Sequence, residues 1–218
     1  MSDTLRILIA DDHPMFRAAL RFALGEIAPG AAMVEVSSQS ALEAAIASGE
    51  EFDLAMLDLM MPGAMGFSSL VYARGERPEL PVVIISSNEN PRTIRRAQQF
   101  GASGFVPKSA PSTVLAEAVN AVLAGNIWFP PQQVERDEGD AQLADRLAQL
   151  TPQQMRVLLR LADGLLNKQI AYELSLAENT VKIHVTAILR KLGCHSRTQA
   201  AVLVKGLSLE DDAAGLHD

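Results

Sequence analysis

The sequence predicts an α/β protein in two parts, a doubly wound parallel sheet followed by a small all-helical domain. Three observations carry that prediction. Over residues 1–125 short Val- and Ile-rich runs alternate with amphipathic helical patterns, a proline- and charge-rich stretch follows, and from Thr151 onward every periodicity is helical.

The strand-like runs lie at 6–10, 33–36, 54–57, 82–85 and 104–106, each four to five residues or shorter and bounded by polar or turn residues. Amphipathic segments near 14–27, 40–48, 66–74 and 90–100 lie between them, and a fifth at 112–124 follows the last strand. Five β-α units in this order imply a parallel five-stranded sheet with helices on both faces, because parallel strands need crossover helices. Pro14 suits a first helical turn, and Gly101 and Gly125 suit left-handed helix ends.

Residues 126–149 read as a linker, with Pro130-Pro131 and the charge run from Glu135 to Asp140, closing in a short helix marked by Leu143, Leu147 and Leu150. Residues 150–206 form the helical domain. In its first helix Thr151-Pro-Gln-Gln154 supplies an N-cap, a first-turn proline and a capping-box glutamine; Met155, Leu158, Leu159 and Ala162 are apolar positions, and Gly164 ends the helix. Asn167 is expected to cap a second helix over 168–174 with Ile170, Ala171 and Leu174 inside, and a brief turn leads to a third helix over 178–192. Residues 207–218 are an acidic tail.

Composition restricts the function. Of 218 residues 48% are hydrophobic and 21% charged, the balance of a folded chain. The longest uncharged run, 118–134, is broken by Asn120, Asn126, Pro130 and Pro131, so no membrane segment is expected, and the N-terminus lacks the pattern of a signal peptide. The expectation is a cytoplasmic protein with no membrane partner. One cysteine, Cys194, excludes an internal disulfide and a multi-cysteine metal site. Net charge is −7, yet residues 150–206 carry 8 Lys/Arg against 3 Asp/Glu, or +5. A basic segment in an acidic chain suits a polyanion-binding module, given a supporting motif.

In a doubly wound sheet, functional side chains collect at the carboxyl ends of the strands. Asp11 and Asp12 end the first strand, Asp58 the third and Ser86 the fourth, and Lys108 follows the fifth. With strand order 2-1-3-4-5 these residues converge on one pocket. Taken singly, each has an ordinary explanation as a helix cap, a turn residue or a surface lysine. Together they suit chemistry: clustered carboxylates repel one another, a hard divalent cation such as Mg²⁺ relieves the repulsion, and a carboxylate beside two cations can attack a phosphoryl donor. Asp58 is the best placed nucleophile.

Leu8-Ile-Ala-Asp-Asp12, Asp58-Leu-Met-Met-Pro-Gly63, Ile84-Ile-Ser-Ser87 and Gly104-Phe-Val-Pro-Lys108 resemble the receiver domains of two-component response regulators. The resemblance implies a flavodoxin-like fold in which Asp58 accepts a phosphoryl group from a sensor histidine kinase. It implies Mg²⁺ held by Asp12, Asp58 and the Met60 carbonyl, with Asp11 acting through water. Lys108 pairs with the phosphoryl oxygens, Ser86 hydrogen-bonds one of them, and Phe105 is the aromatic switch partner of Ser86. Met60 and Asn88 overlook the phosphoryl group.

On the third helix of the C-terminal domain, Val181, Val185, Ile188, Leu189 and Leu192 mark the buried stripe, and Asn179, Lys182, Ile183, Thr186 and Arg190 lie opposite. An amide, a cation, a hydroxyl and an apolar group suit base edges and phosphates in a major groove. Lys168, at the start of the second helix, suits phosphate, while His184 at the stripe's edge reads as packing. Leu150-Thr-Pro, Gly164-Leu-Leu-Asn-Lys-Gln-Ile-Ala171, 178–184, Lys191-Leu-Gly193 and Ser196-Arg-Thr198 are similar to the LuxR-type helix-turn-helix, and with the preceding domain the chain resembles the NarL/FixJ subfamily. Two departures stand out: Gln154 for a usual glutamate, and Ala177 for a capping serine.

The resemblance implies a regulator, not an enzyme, that binds double-stranded DNA. A single +5 domain makes few phosphate contacts, and a phosphoryl group adds roughly −1.5 to −2 charges far from the DNA, so phosphorylation is expected to act through shape, favouring a homodimer and releasing a recognition helix masked until then. One alternative is a DNA-binding regulator that works without phosphorylation and uses the receiver for partner contacts. A phosphatase of the haloacid dehalogenase type needs an acid two residues after its nucleophile, where this chain has Met60.

Overall fold

A computed structural model describes residues 4–131 and 138–208. The acidic tail from 209 and the centre of the expected linker lie outside the described residues. The chain divides into two compact units between residues 136 and 137.

The first unit builds β1 (Arg6–Ala10), α1 (Pro14–Ile27), β2 (Ala32–Val36), α2 (Gln39–Ala47), β3 (Leu54–Asp58), α3 (Ser68–Glu76), β4 (Val82–Ser86), α4 (Pro91–Gln99), β5 (Gly104–Pro107) and α5 (Ser112–Leu123). Its strands are all parallel, in the order β2-β1-β3-β4-β5. The central strands read as continuous apolar runs because helices cover both faces, and every residue of β3 and β4 is buried. One face of the sheet packs Ile7, Ile9, Met56, Val83, Ile85 and Val106 against Leu20 and Leu24 of α1 and Leu115, Val119 and Val122 of α5. Burial of that apolar surface, at about 25 cal/mol per Å², is the main term holding the sheet.

Trp128, inside the stretch expected to be linker, extends the sheet instead. It bridges to Gly104 in parallel, its N–H donates to the Ser103 carbonyl at 2.9 Å and its carbonyl accepts from the Phe105 N–H at 3.0 Å. The exposed edge of β5 is thus covered by backbone. A side chain at Gly104 would meet the Trp128 carbonyl oxygen 3.0 Å from its Cβ and the Val83 and Val122 methyl groups at 3.3 and 3.4 Å.

The second unit builds α6 (Glu138–Ala148), α7 (Pro152–Ala162), α8 (Asn167–Glu173), α9 (Glu178–Leu192) and α10 (Arg197–Lys205). The helix expected at the end of the linker is α6. It packs on α9, where Arg146 Nη1 donates to the Leu192 carbonyl at 3.2 Å, and Leu147 is buried. Met155, Val157, Leu158, Ile170, Val181, Ile188, Leu192 and Ala200 form the core. Thr151 and Gln154 complete a reciprocal capping box, with Gln154 N–H donating to Thr151 Oγ1 at 3.3 Å and Thr151 N–H to Gln154 Oε1 at 3.1 Å.

One expected cap is corrected. Asn167 is the first residue inside α8, and the extended residue before it is Leu166, whose N–H donates to Gln169 Oε1 at 2.7 Å. Leucine has no acceptor to offer the helix, so only the returning half of a capping box forms. Ala177 likewise caps α9 without a side-chain bond.

Gly104→Val forces these contacts apart in a filled layer, and overpacking of this kind costs about 1–3 kcal/mol. Urea unfolding of the first unit is expected to show a lower midpoint at unchanged slope; an unaltered midpoint would count against the close packing of Trp128 on β5.

Candidate functional site

Parallel topology places the ends of β1, β3, β4 and β5 on one edge of the sheet. Asp58 is the last residue of β3 and Ser86 the last of β4, while Asp11 and Asp12 follow β1 and Lys108 follows β5. Register aligns Asp58 with Ile85 and Ser86 with Pro107, so the polar ends lie side by side.

Asp58 is only 2% exposed. Lys108 Nζ donates to its Oδ2 at 2.7 Å, and the Met60 N–H donates to its Oδ1 at 3.0 Å. Lys108 Nζ also stands 2.6 Å from Asp11 Oδ2, so one ammonium joins two buried carboxylates. The Lys108 N–H donates to the Ser86 carbonyl at 2.8 Å, which fixes the start of its chain. Arg17 Nη1 donates to the Asp11 carbonyl at 2.6 Å and anchors the loop after β1 to α1.

Asp12 stands half-buried beside them, and its Oδ1 is shielded from solvent without an aligned hydrogen-bond donor. His13 Nδ1 lies 2.8 Å from that atom, 3.2 Å from Asp11 Oδ1 and 3.8 Å from Asp58 Oδ2. Ligand atoms of Asp11, Asp12, His13 and Asp58 all fall within 4.8 Å of one another. Lys108 pairs with two of the three carboxylates, which leaves negative charge uncompensated, and the carboxylate oxygens fit a hard divalent cation.

Ser86 is fully buried, its Oγ accepting the Asn88 N–H at 3.1 Å. Asn88 Oδ1 accepts the Asn90 N–H at 3.0 Å, so in this state the side chain serves its own loop. Phe105 is fully buried, and Met60 is 57% exposed at the mouth of the pocket.

In the second unit α9 carries Asn179, Lys182, Ile183, Thr186 and Arg190 on its exposed face, and Lys168 is exposed on α8. Val181, Ile188 and Leu192 are buried; Val185, His184 and Leu189 are half-buried at the flanks of the stripe. Ile183 is 61% exposed, a large apolar side chain left open on the face of α9 among the described residues. Lys182 Nζ pairs with Glu178 at 3.0 Å and Thr186 Oγ1 donates to the Lys182 carbonyl at 3.0 Å, contacts internal to the helix.

Sequence reasoning brought together the pocket residues but missed His13, Arg17 and Phe16, whose ring lies 4.7 Å from Lys108 Nζ. For His13 a signal exists: it follows two acids and precedes Pro14, which restricts it to extended backbone, observed as φ −90°, ψ 105°.

Burial holds the Asp58 carboxyl above the ordinary carboxylate range, against the lowering pull of Lys108 and the Met60 amide. Burial alone would lower Lys108, but its bonds to Asp11 and Asp58 outweigh that and raise it. A carboxyl whose pKa is higher folded than unfolded stabilises the fold below its unfolded pKa, and that contribution is lost as pH rises through the folded value. Ionised Asp58 is therefore a cost at neutral pH. In metal-free buffer Asp58→Asn is expected to raise the melting temperature of the first unit by a few degrees at pH 7, a gain that shrinks near the unfolded carboxylate pKa. Calorimetry at the two pH values checks this, and a lower melting temperature at pH 7 contradicts it.

Residues 7–120 match the family described as the response regulator receiver domain, and residues 148–204 match the bacterial regulatory proteins of the luxR family. The glycerol metabolism activator of Pseudomonas putida is 40% identical over 204 residues, covering 89% of this chain and 92% of that protein. The nitrate/nitrite response regulator protein NarL of Escherichia coli K12 is 33% identical over 212 residues, covering 91% and 94%. Among solved structures, RcsB of Salmonella enterica serovar Typhimurium bound to a promoter is alike in fold, with TM-score 0.55, 24% identity and coverage of 94% and 100%. A LuxR family DNA-binding response regulator from Silicibacter pomeroyi gives TM-score 0.52 and 31% identity over 59% of this chain and 98% of that one. This chain therefore belongs to the two-component response regulators of the NarL type, which join a receiver domain to a LuxR-type helix-turn-helix.

Proposed function

We propose that Asp58 is the phosphoacceptor of this regulator and that its phosphorylation by a sensor histidine kinase controls operator binding by the exposed face of α9. The observation that carries the reading is the shared ammonium of Lys108, held at once by Asp11 and Asp58 at the strand ends. Asp58 Oδ attacks the phosphorus of a phosphohistidine, the bond to the histidine nitrogen breaks, and the imidazole leaves with the electron pair. Lys108 neutralises charge on the transferring oxygens, and the Met60 N–H steadies the other carboxylate oxygen. Mg²⁺ fits the pocket through Asp12, Asp58 and the Met60 carbonyl, with Asp11 through water, and supplies further neutralisation of the phosphoryl oxygens. Ser86 then turns its hydroxyl to the phosphoryl group, and Phe105 packs behind it as the switch.

Phosphorylation adds roughly −1.5 to −2 charges in the receiver, which repel DNA, so the signal acts through shape and dimer formation. Lys168 meets phosphate, while Asn179, Lys182, Ile183, Thr186 and Arg190 face a major groove. RcsB has been solved as dimers on DNA, in line with a dimer on paired half-sites. No helix among the described residues is long and apolar enough to cross a membrane, and a regulator acting on DNA works in the cytoplasm.

With acetyl phosphate and Mg²⁺ the protein is expected to gain one phosphoryl group, seen by intact mass, that Asp58→Asn does not gain; equal uptake removes Asp58 from the role. Exposed Met60 offers no hydrogen bond to an attacking water, so Met60→Asn is expected to shorten the lifetime of the phosphorylated form. Unchanged decay refutes that screening. Ile183→Ala and Lys182→Ala are each expected to weaken operator binding by about 1–3 kcal/mol at fixed salt with helicity unchanged. Operator affinity equal to wild type in both would remove α9 from the groove.

A further inference from the structure

Within the carboxylate pocket stands a group that the proposed phosphoryl chemistry does not use. His13 caps the start of α1, its backbone N–H donating to Asp11 Oδ1 at 2.7 Å, and Pro14 holds its backbone extended. These two constraints turn the imidazole over the acids, where Nδ1 lies 2.8 Å from Asp12 Oδ1, 3.2 Å from Asp11 Oδ1 and 3.8 Å from Asp58 Oδ2. In an octahedral shell with metal–ligand bonds of about 2.1 Å, neighbouring donor atoms stand about 3 Å apart. The imidazole nitrogen is therefore spaced from the carboxylate oxygens as an adjacent ligand would be. Its ring is 62% exposed, which leaves Nε2 open to water and the ring free to settle onto an ion.

We propose that His13 is a direct nitrogen ligand that makes this pocket a site for a first-row transition divalent cation, held more tightly than Mg²⁺. The inference rests on the reading of the pocket as a cation site and adds the class of ion. Mg²⁺ prefers oxygen and gains little from an imidazole, whereas ions from Mn²⁺ to Zn²⁺ bind nitrogen with increasing strength. A mixed set of one nitrogen and three carboxylates discriminates between the two classes, where a purely carboxylate pocket does so weakly.

The test is calorimetric titration of the full-length protein at one fixed pH with Co²⁺ and, separately, with Mg²⁺. Wild type, His13→Ala, His13→Asn and Asp58→Asn are compared, and the visible absorption of bound Co²⁺ is recorded. The His13 side chain makes no capping bond to α1, so neither substitution removes one, and asparagine tests a polar side chain that lacks the imidazole nitrogen. Wild type is expected to bind Co²⁺ about tenfold or more tightly than Mg²⁺, with excess Mg²⁺ displacing it. Both His13 variants are expected to lose about tenfold in Co²⁺ affinity and to change the Co²⁺ spectrum, with Mg²⁺ affinity within about twofold of wild type. Equal losses for the two ions, or Co²⁺ binding indifferent to His13, overturns the proposal while leaving the Mg²⁺ pocket standing. Co²⁺ binding that survives Asp58→Asn and resists Mg²⁺ lies elsewhere, at His184 or His195 of the second unit, and also overturns it. Failure of wild type to bind Mg²⁺ at all removes the underlying pocket reading instead.

Discussion

The pocket depends on one cation standing between two buried anions. Lys108 reaches from the end of β5 to Asp58 and Asp11 at 2.7 and 2.6 Å, and without it two carboxylates would face each other in a region from which water is largely excluded. Strand order makes this possible. β1 and β3 are neighbours, which brings the acids together, and β5 lies two strands from β3 and three from β1, a span that a long lysine side chain bridges. The balance is incomplete by construction, since Lys108 pairs with Asp11 and Asp58 while Asp12 adds a third carboxylate, and that residual negative charge favours a cation in the pocket.

Most of the fold was legible because each strand is an apolar run ending abruptly in a polar residue. Asp58 and Ser86 mark the ends of β3 and β4 in the sequence as they do in space. Strand limits shifted by a residue for the same reason: Asp58, Ser86 and Pro107 continue the backbone ladder although their side chains break the apolar pattern. Trp128 was hidden because its contribution to the sheet is made by its N–H and carbonyl, which carry no sequence signature. Asn167 misled through propensity. An asparagine at a helix start usually caps, but here the extended residue is Leu166 and the helix already includes Asn167.

The missed parts of the pocket, His13, Phe16 and Arg17, lie on the first turn of α1 or just before it. Periodicity assigns such residues a face, yet it cannot say that the face looks over the sheet edge instead of into solvent. In the second unit the opposite held. Buried and exposed positions of α9 alternate at helical spacing, so the pattern alone separated Val181, Ile188 and Leu192 from Lys182, Ile183 and Arg190.

Gln154, one of two departures from the family pattern, does more than close a capping box. Its Oε1 also accepts Lys191 Nζ at 2.7 Å, and the same ammonium donates to the Gln149 carbonyl at 2.8 Å. The far end of α9 is thereby tied to the start of α7 through neutral acceptors. A glutamate there would make an ion pair sensitive to acid and to salt, whereas an amide and a carbonyl do not titrate and are weakly screened. This tie between α9 and α7 therefore depends less on pH and salt than an ion pair at the same place would, so changes of ionic strength act on the exposed charges of the domain before they act on this junction.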